Sequence, residues 1–284
     1  MNTSAAERKE TSAKVLPFLK WAGGKGRLLS QLTPMLPPGV DRRRHVEPFF
    51  GGGALFFSRR PTRALVSDVN PALVRTYLAV RDSVDTVIRH LRRLKADHSV
   101  ERYYEVRARY NQGLTSDASH AATFIYLNKT CFNGLHRVNR KGEFNVPAGR
   151  YKNPKILDGV GLQLASRALQ RADVRRASFE ALLESAKPGD FVYFDPPYAP
   201  VSATANFTSY AREGFGPEEQ ARLRDVFREL DRRGCKLMLS NSDVPAIRDL
   251  YDGFVIDEVA APRAISCNGS GRSRVAEVVV RNYD

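Results

Sequence analysis

The sequence predicts an α/β fold: a sheet with helices on both faces, interrupted by an insert of helices and a β-hairpin. Short runs rich in β-branched and aromatic residues stand at both ends of the chain. RRHVEPFF and RALVSDV come early, then VRRASF, DFVYFD, CKLMLSNSD, FVIDEVA and VAEVVVRNYD. Several are nearly continuous apolar runs bounded by Gly, Pro, Asp or Asn, the pattern of strands buried on both faces. Between about residues 71 and 158 the strand signal gives way to Arg- and Tyr-rich helical stretches and one basic turn.

Residues 1–14, MNTSAAERKETSAK, are polar, lack an apolar signal core and read as a disordered tail. Helices are expected over 23–36, over 53–60 after the glycines that close the first strand, and over 71–82 after RALVSDV. HLRRLKADHSVERYYEVRARYNQ supplies two more helical stretches and AATFIYLNKTCF another. Val138, Phe144 and Val146 then flank Asn139-Arg140-Lys141-Gly142, a hairpin turn with glycine at its positive-φ position. A helix over 217–233 opens through Gly216-Pro217-Glu218-Glu219, with proline and acids in its first turn. The domain reading is a body of 15–70 and 159–284 around an insert of 71–158.

Among the 284 residues, 45 Lys and Arg face 31 Asp and Glu, a net charge of +14. Such an excess attracts a polyanion, nucleic acid first; a generally basic solvated surface is the plainer alternative. From Cys131 to Lys155 the basic residues are Arg137, Arg140, Lys141, Arg150, Lys152 and Lys155, against the single acid Glu143. Cys131, Cys235 and Cys267 form no CxxC, and the five histidines show no metal-binding spacing, so neither a disulfide framework nor a metal site is expected. No apolar segment approaches a membrane span, and a cytoplasmic monomer without an obligate protein partner is the resulting expectation.

VEPFFGGG (46–53) ends a strand in three glycines and runs into the helical ALFFSRR. Glycines there let a ligand approach the backbone, as at the first βα turn of nucleotide-binding sheets; they also suit a plain tight turn. Asp68, at the tip of the next strand, is placed for ribose hydroxyls, or else caps the helix from Pro71, a role Asn70 can fill. In FLKWAGGKG (18–26), Trp21 and Lys25 suit a ligand with a π-face and a carboxylate, such as the amino-acid end of S-adenosylmethionine; a core Trp beside a solvated Lys is the alternative.

FVYFDPPYAP (191–200) carries the chemistry. Its prolines end the strand and leave the carbonyls of Asp195 and Pro196 as acceptors. A carboxylate beside a carbonyl is a two-acceptor cradle for an exocyclic amine, and Tyr198 offers a stacking face. Holding both N–H bonds turns the nitrogen lone pair towards a methyl donor, so a poor nucleophile reacts by positioning and electrostatics.

The segments FLKWAGGKG, VEPFFGGGALFF, SDVN, YLNKTCFNGLHRVNRKGEFNVPAGRYKNP, FVYFDPPY, LSNSD and RAISCNGSGRSRVAEVVV, in this order, span positions 18 to 280. In them the chain resembles the Dam-type DNA adenine-N6 methyltransferases of the D12 class. That resemblance implies a Rossmann-like methyltransferase sheet, S-adenosylmethionine as donor and double-stranded DNA as partner. It implies donor contacts from Trp21, Lys25, the loop Glu47-Pro48-Phe49 with Gly51 and Gly53, Asp68, Phe179 and Asp195. Asp195, Pro196, Pro197 and Tyr198 would hold the target adenine. Lys20, Phe132, Asn133, Leu135, Arg137 and Arg150 would read or wedge the DNA, with GATC as the expected site. A cytosine-N4 methyltransferase and a DNA-binding regulator with an inactive donor site are the rival readings.

Overall fold

The computed structural model describes residues 15–113, 116–201, 215–261 and 275–284. The tail, the Gly- and Ser-rich RAISCNGSGRSR segment and Cys267 lie outside the described residues. The chain divides into a sheet unit (23–51, 61–74 and 171–284) and a helical unit (up to residue 22, 52–60 and 75–170).

The sheet unit contains seven strands: β1 (His45–Glu47), β2 (Ala64–Asp68), β3 (Ala172–Arg176), β4 (Phe191–Phe194), β5 (Lys236–Ser242), β6 (Val255–Ala261) and β7 (Val275–Arg281). Their order is β3-β2-β1-β4-β5-β7-β6. The first five are parallel, with Glu47 opposite Val66 and Phe194 opposite Leu239. β7 inserts antiparallel between β5 and β6 and sets Glu277 opposite Ser242. Pro48 stops β1, so the expected run RRHVEPFF contributes only three residues.

The helices are α1 (Ala54–Arg59), α2 (Pro71–Ala96), α3 (Val100–Asn111), α4 (Asp117–Thr130), α5 (Gly159–Leu169), α6 (Pro217–Arg232) and α7 (Pro245–Leu250). Leu223, Val226, Phe227 and Leu230 recur at helical spacing on α6 and pack on Val46, Leu65, Val192, Phe194, Leu237 and Leu239. The alternate strand residues Ala64, Val66, Phe191, Tyr193 and Met238 are buried too, so both faces of the sheet are covered. Each fully buried Leu or Phe contributes about 1.5 to 3 kcal/mol to this core.

The expected helix over 23–36 is instead three short turns, because Gly24, Gly26 and Pro34 interrupt it. The helix over 71–82 ends as expected, at a non-helical Ser83 (φ −145°, ψ 38°), and beyond that kink α2 runs on through the expected helical stretch from His90 to Ala96. The Arg81 carbonyl near that break accepts from the Ser166 hydroxyl at 3.1 Å and from the Gln170 amide, both supplied by or just after α5. α5 itself was not expected from the sequence, although Asp158 caps it by accepting the Gly161 N–H at 2.9 Å.

In the helical unit the hairpin is slighter than expected, with isolated bridges at Val138–Phe144 and Cys131–Ala148. α3 stabilises it from outside. Asn111 pairs through its side-chain amide with both backbone groups of Phe144, while Tyr103 and Arg107 donate to the Val146 carbonyl. These bonds satisfy backbone groups for which so short a ladder has no partner.

Candidate active site

The chain order reverses between β1 and β4, since β2 and β3 lie to one side of β1 and β4 and β5 to the other. Parallel sheets bind ligands at the carboxyl edge of such a switch point. Glu47, Asp68 and Asp195 all stand at that edge, on or immediately after the ends of β1, β2 and β4.

After β1 the chain turns through Gly51 (φ 46°), whose N–H donates to Asp68 Oδ2 at 2.9 Å. Asp68 Oδ1 accepts the Asn70 N–H at 2.9 Å, and Asn70 caps α2 by accepting from Leu73 N at 3.1 Å. Of the two capping candidates, Asn70 takes the role. Asp68 straps the glycine loop to β2; burial raises its pKa, opposed by these backbone donors. A cleft of about 360 Å3, lined by Val69, Arg176, Ala177 and Ser178, opens beside it at the ends of β2 and β3. Next in the chain, Phe179 is buried and stacks on Phe49 (5.5 Å between centroids, 25° between planes), with Phe215 edge-on to both. The Glu47 carboxylate is buried against His45 Nε2 at 2.6 Å, and Pro48 is buried behind it.

Lys25 is only 5% exposed. Its ammonium lies 2.7 Å from Asp195 Oδ1, donates to the Gly23 carbonyl at 2.7 Å and sits 4.5 Å from the centre of the Tyr198 ring. Although 21% of the Asp195 side chain remains open, burial pushes its carboxyl up to about 6 against the pull of Lys25, and Glu47 and Glu277 push the same way. The Tyr198 phenol is raised far above its usual range, chiefly by burial and then by Asp195, so it stays protonated and donates to Glu277 Oε2 at 2.7 Å.

The loop after β4 is held from β5 and α6. Gln220 Nε2 donates to the Pro197 carbonyl at 3.0 Å, Asn241 Oδ1 accepts the Ala199 N–H at 3.0 Å, and the Ser242 hydroxyl donates to the Ala199 carbonyl at 2.7 Å. Gln220 and Asn241 are themselves bonded at 3.1 Å. Among the described residues no side chain donates to the Pro196 carbonyl. Sequence reasoning missed Gln220, Asn241, Ser242, Glu277 and Phe215; LSNSD was noticed, but without a role for its side chains.

The sheet unit therefore brings together Lys25, Glu47, Pro48, Phe49, Gly51, Asp68, Phe179 and Asp195 to Tyr198. Trp21 and Gly53 belong to the helical unit. There Trp21 stacks on His136 at 5.5 Å, and Gly53 (φ 64°) precedes α1. Lys20 exchanges backbone hydrogen bonds with the Asn128 side chain, and its ammonium donates to Tyr151 Oη at 3.1 Å. Phe132 and Leu135 project, 48% and 41% exposed, on either side of Asn133 (φ 54°) and Gly134 (φ 66°). Arg137 is ordered by Asn145 Oδ1 at 2.8 Å, and Arg150 is exposed.

Gly134 is fixed by more than its φ. A Cβ there would stand 2.5 Å from Lys20 Cδ and 2.6 Å from Lys20 Cβ. Gly134→Ala is therefore expected to destabilise the fold by about 2 to 4 kcal/mol, combining backbone strain and overpacking. Thermal unfolding measures this, and an unchanged midpoint would show that Lys20 moves aside freely.

No helix among the described residues is long and apolar enough to cross a membrane. The sequence profile of the D12 class N6 adenine-specific DNA methyltransferases matches residues 21–265. The chain is 42% identical to a type II methyltransferase, M.MjaIII, of Methanocaldococcus jannaschii, covering 95% of this chain and 100% of that one. It is 39% identical to a DNA adenine methylase of Vibrio cholerae (92% of this chain, 94% of the relative) and 37% identical to that of Escherichia coli K12 (92% and 93%). With a glycine loop strapped by Asp68 and an Asp-Pro-Pro-Tyr edge beside a buried lysine, the chain belongs to the D12 class of N6 adenine-specific DNA methyltransferases.

Proposed function

We propose that this protein methylates N6 of an adenine extruded from duplex DNA, within GATC, using S-adenosylmethionine. The observation that carries the reading is Asp195 at the switch-point edge, held at 2.7 Å by a buried lysine and followed by a proline carbonyl that no described side chain occupies. Target nitrogens inside a duplex are out of reach, so the base must leave the stack, at a cost of a few kcal/mol.

The residues present suit the donor. The cleft beside Asp68 and Phe179 fits an adenosine, the acids Glu47 and Asp195 suit a cationic sulfonium, and Lys25 suits a carboxylate. When bound, S-adenosylmethionine supplies an electrophilic methyl group on sulfur. Asp195 and the Pro196 carbonyl accept the two N6 hydrogens and so aim the nitrogen lone pair. Because its carboxyl titrates near 6, Asp195 is charged at neutral pH and can accept the proton that N6 sheds. Tyr198 stacks on the base. In the helical unit, Phe132 is the wedge that fills the vacated stack, Arg137 and Arg150 read guanine, and Lys20, Asn133 and Leu135 complete the contacts.

Methylation of a random plasmid library, followed by base-resolved mapping, tests this reading. The expected product is N6-methyladenine confined to GATC. N4-methylcytosine would favour the first rival, DNA binding without any methylation the second, and N6-methyladenine in another motif would overturn the site alone.

A further inference from the structure

Glu277 stands on β7, the strand that runs antiparallel between β5 and β6, and it enters neither the donor contacts nor the cradle for N6. Its carboxylate nevertheless accepts the Tyr198 hydroxyl at 2.7 Å, the distance of a charge-assisted bond. Its backbone register, opposite Ser242, sets it on the strand next to the one that holds Ala199 through Asn241 and Ser242. Residues 197 to 199 are thus tied to β5 and α6 by their backbone, and to β7 by the Tyr198 side chain. Resting on the functional reading above, we propose that Glu277 is a positioning residue for the target base: by anchoring the Tyr198 hydroxyl it fixes the ring on which the flipped adenine stacks.

The physical need is specific. Two prolines stiffen the backbone before Tyr198, but they leave its χ1 and χ2 free. Stacking depends on ring offset and tilt, so a ring that swings about Cα offers no fixed face. Lys25, 4.5 Å from the ring centre, covers one face, and Glu277 pins the tip; together they leave the other face in one orientation. The choice of an acid is costly for the chemistry, because a carboxylate here raises the pKa of Asp195, whose charge the reaction uses. An acid at this position, despite that cost, is explained by the stronger anchor that a charged acceptor gives to a hydroxyl.

The test uses the full-length enzyme and two GATC duplexes, one with adenine at the target position for turnover and one with 2-aminopurine there, which lacks the 6-amino group and reports stacking alone. Glu277→Leu is expected to lower kcat about tenfold, with little change in KM for DNA. It should lengthen the fluorescence lifetime of the flipped 2-aminopurine, which a fixed aromatic face quenches. Tyr198→Phe keeps the ring and loses the anchor, so it should reproduce both effects. The double variant should be no worse than either single one, and Glu277→Gln, which keeps a neutral and therefore weaker acceptor, should recover part of the activity. Equal lifetimes and kcat in wild type and Glu277→Leu, or additive losses in the double variant, would overturn the proposal. Unfolding midpoints of all the variants separate positioning from misfolding. If the wild-type enzyme itself methylates no adenine, the functional reading fails instead, and the unmethylated wild-type control reveals it.

Discussion

Asp195→Asn is expected to lower methyl transfer about a hundred- to a thousandfold while leaving DNA affinity within about twofold of wild type. The substitution keeps the side-chain volume, and its amide oxygen can still accept from Lys25. What changes is the other end, where an N–H2 donor then faces an amine that is itself a donor. A preorganised partner of the reacting group is worth about 3 to 4 kcal/mol in the transition state, which sets the size of the loss. Affinity is expected to be spared because, on the proposed function, the DNA contacts come from basic and apolar residues other than Asp195. The wild-type pH profile provides a second measurement of the same group. Burial raises this carboxyl to about 6, so the carboxylate is present above that pH and is lost as pH falls through it. Turnover should therefore decline on the acid side with an apparent pKa near 6, and the decline should vanish in Asp195→Asn. A variant with near-normal turnover would remove Asp195 from the mechanism.

The parts of this site that were legible in the sequence are those written along single segments. Asp195-Pro196-Pro197-Tyr198 was readable because an acid, two prolines and an aromatic cannot prolong a strand, and the GGG loop because it interrupts a strand-to-helix transition. Charge counting isolated the basic insert. What stayed hidden depends on pairings between distant segments. Glu277 reads as an ordinary polar position within the apolar VAEVVV run, and only the antiparallel placement of β7 beside β5 brings it to Tyr198. Gln220 lies within an amphipathic helix, where its amide shows no sign of the loop it restrains. The expected stop at 82 and the turn with positive-φ Gly142 (φ 79°) were both legible. What stayed hidden was their support: side chains from α3 satisfy the Phe144 and Val146 backbone beside the short 138–144 pairing, and α5 satisfies the carbonyl freed at the Ser83 break.

Lys25→Met should be as damaging as loss of Asp195 itself, for a different reason. The lysine is nearly as buried as the strands around it, and its ammonium draws the Asp195 pKa down, against burial, Glu47 and Glu277. Without it, the carboxyl should titrate above 6, because each remaining influence favours the protonated acid. At pH 7 more of the enzyme then holds a neutral group that cannot accept an N6 hydrogen in the same way. Activity should fall by at least about a hundredfold at pH 7, as expected when one partner of a buried charged pair is removed, and recover in part as pH rises. The folded state should lose up to about 3 to 5 kcal/mol at neutral pH, since the carboxyl left inside must either stay uncompensated or take up a proton. Replacing both partners, with Lys25→Met and Asp195→Asn together, removes the orphaned charge. That double variant should regain much of the stability lost by Lys25→Met while staying inactive, a non-additivity that unfolding and turnover measure separately. If Lys25→Met instead kept the wild-type acid limb, the charge of Asp195 would be set by other groups, and Lys25 would serve only to hold the donor.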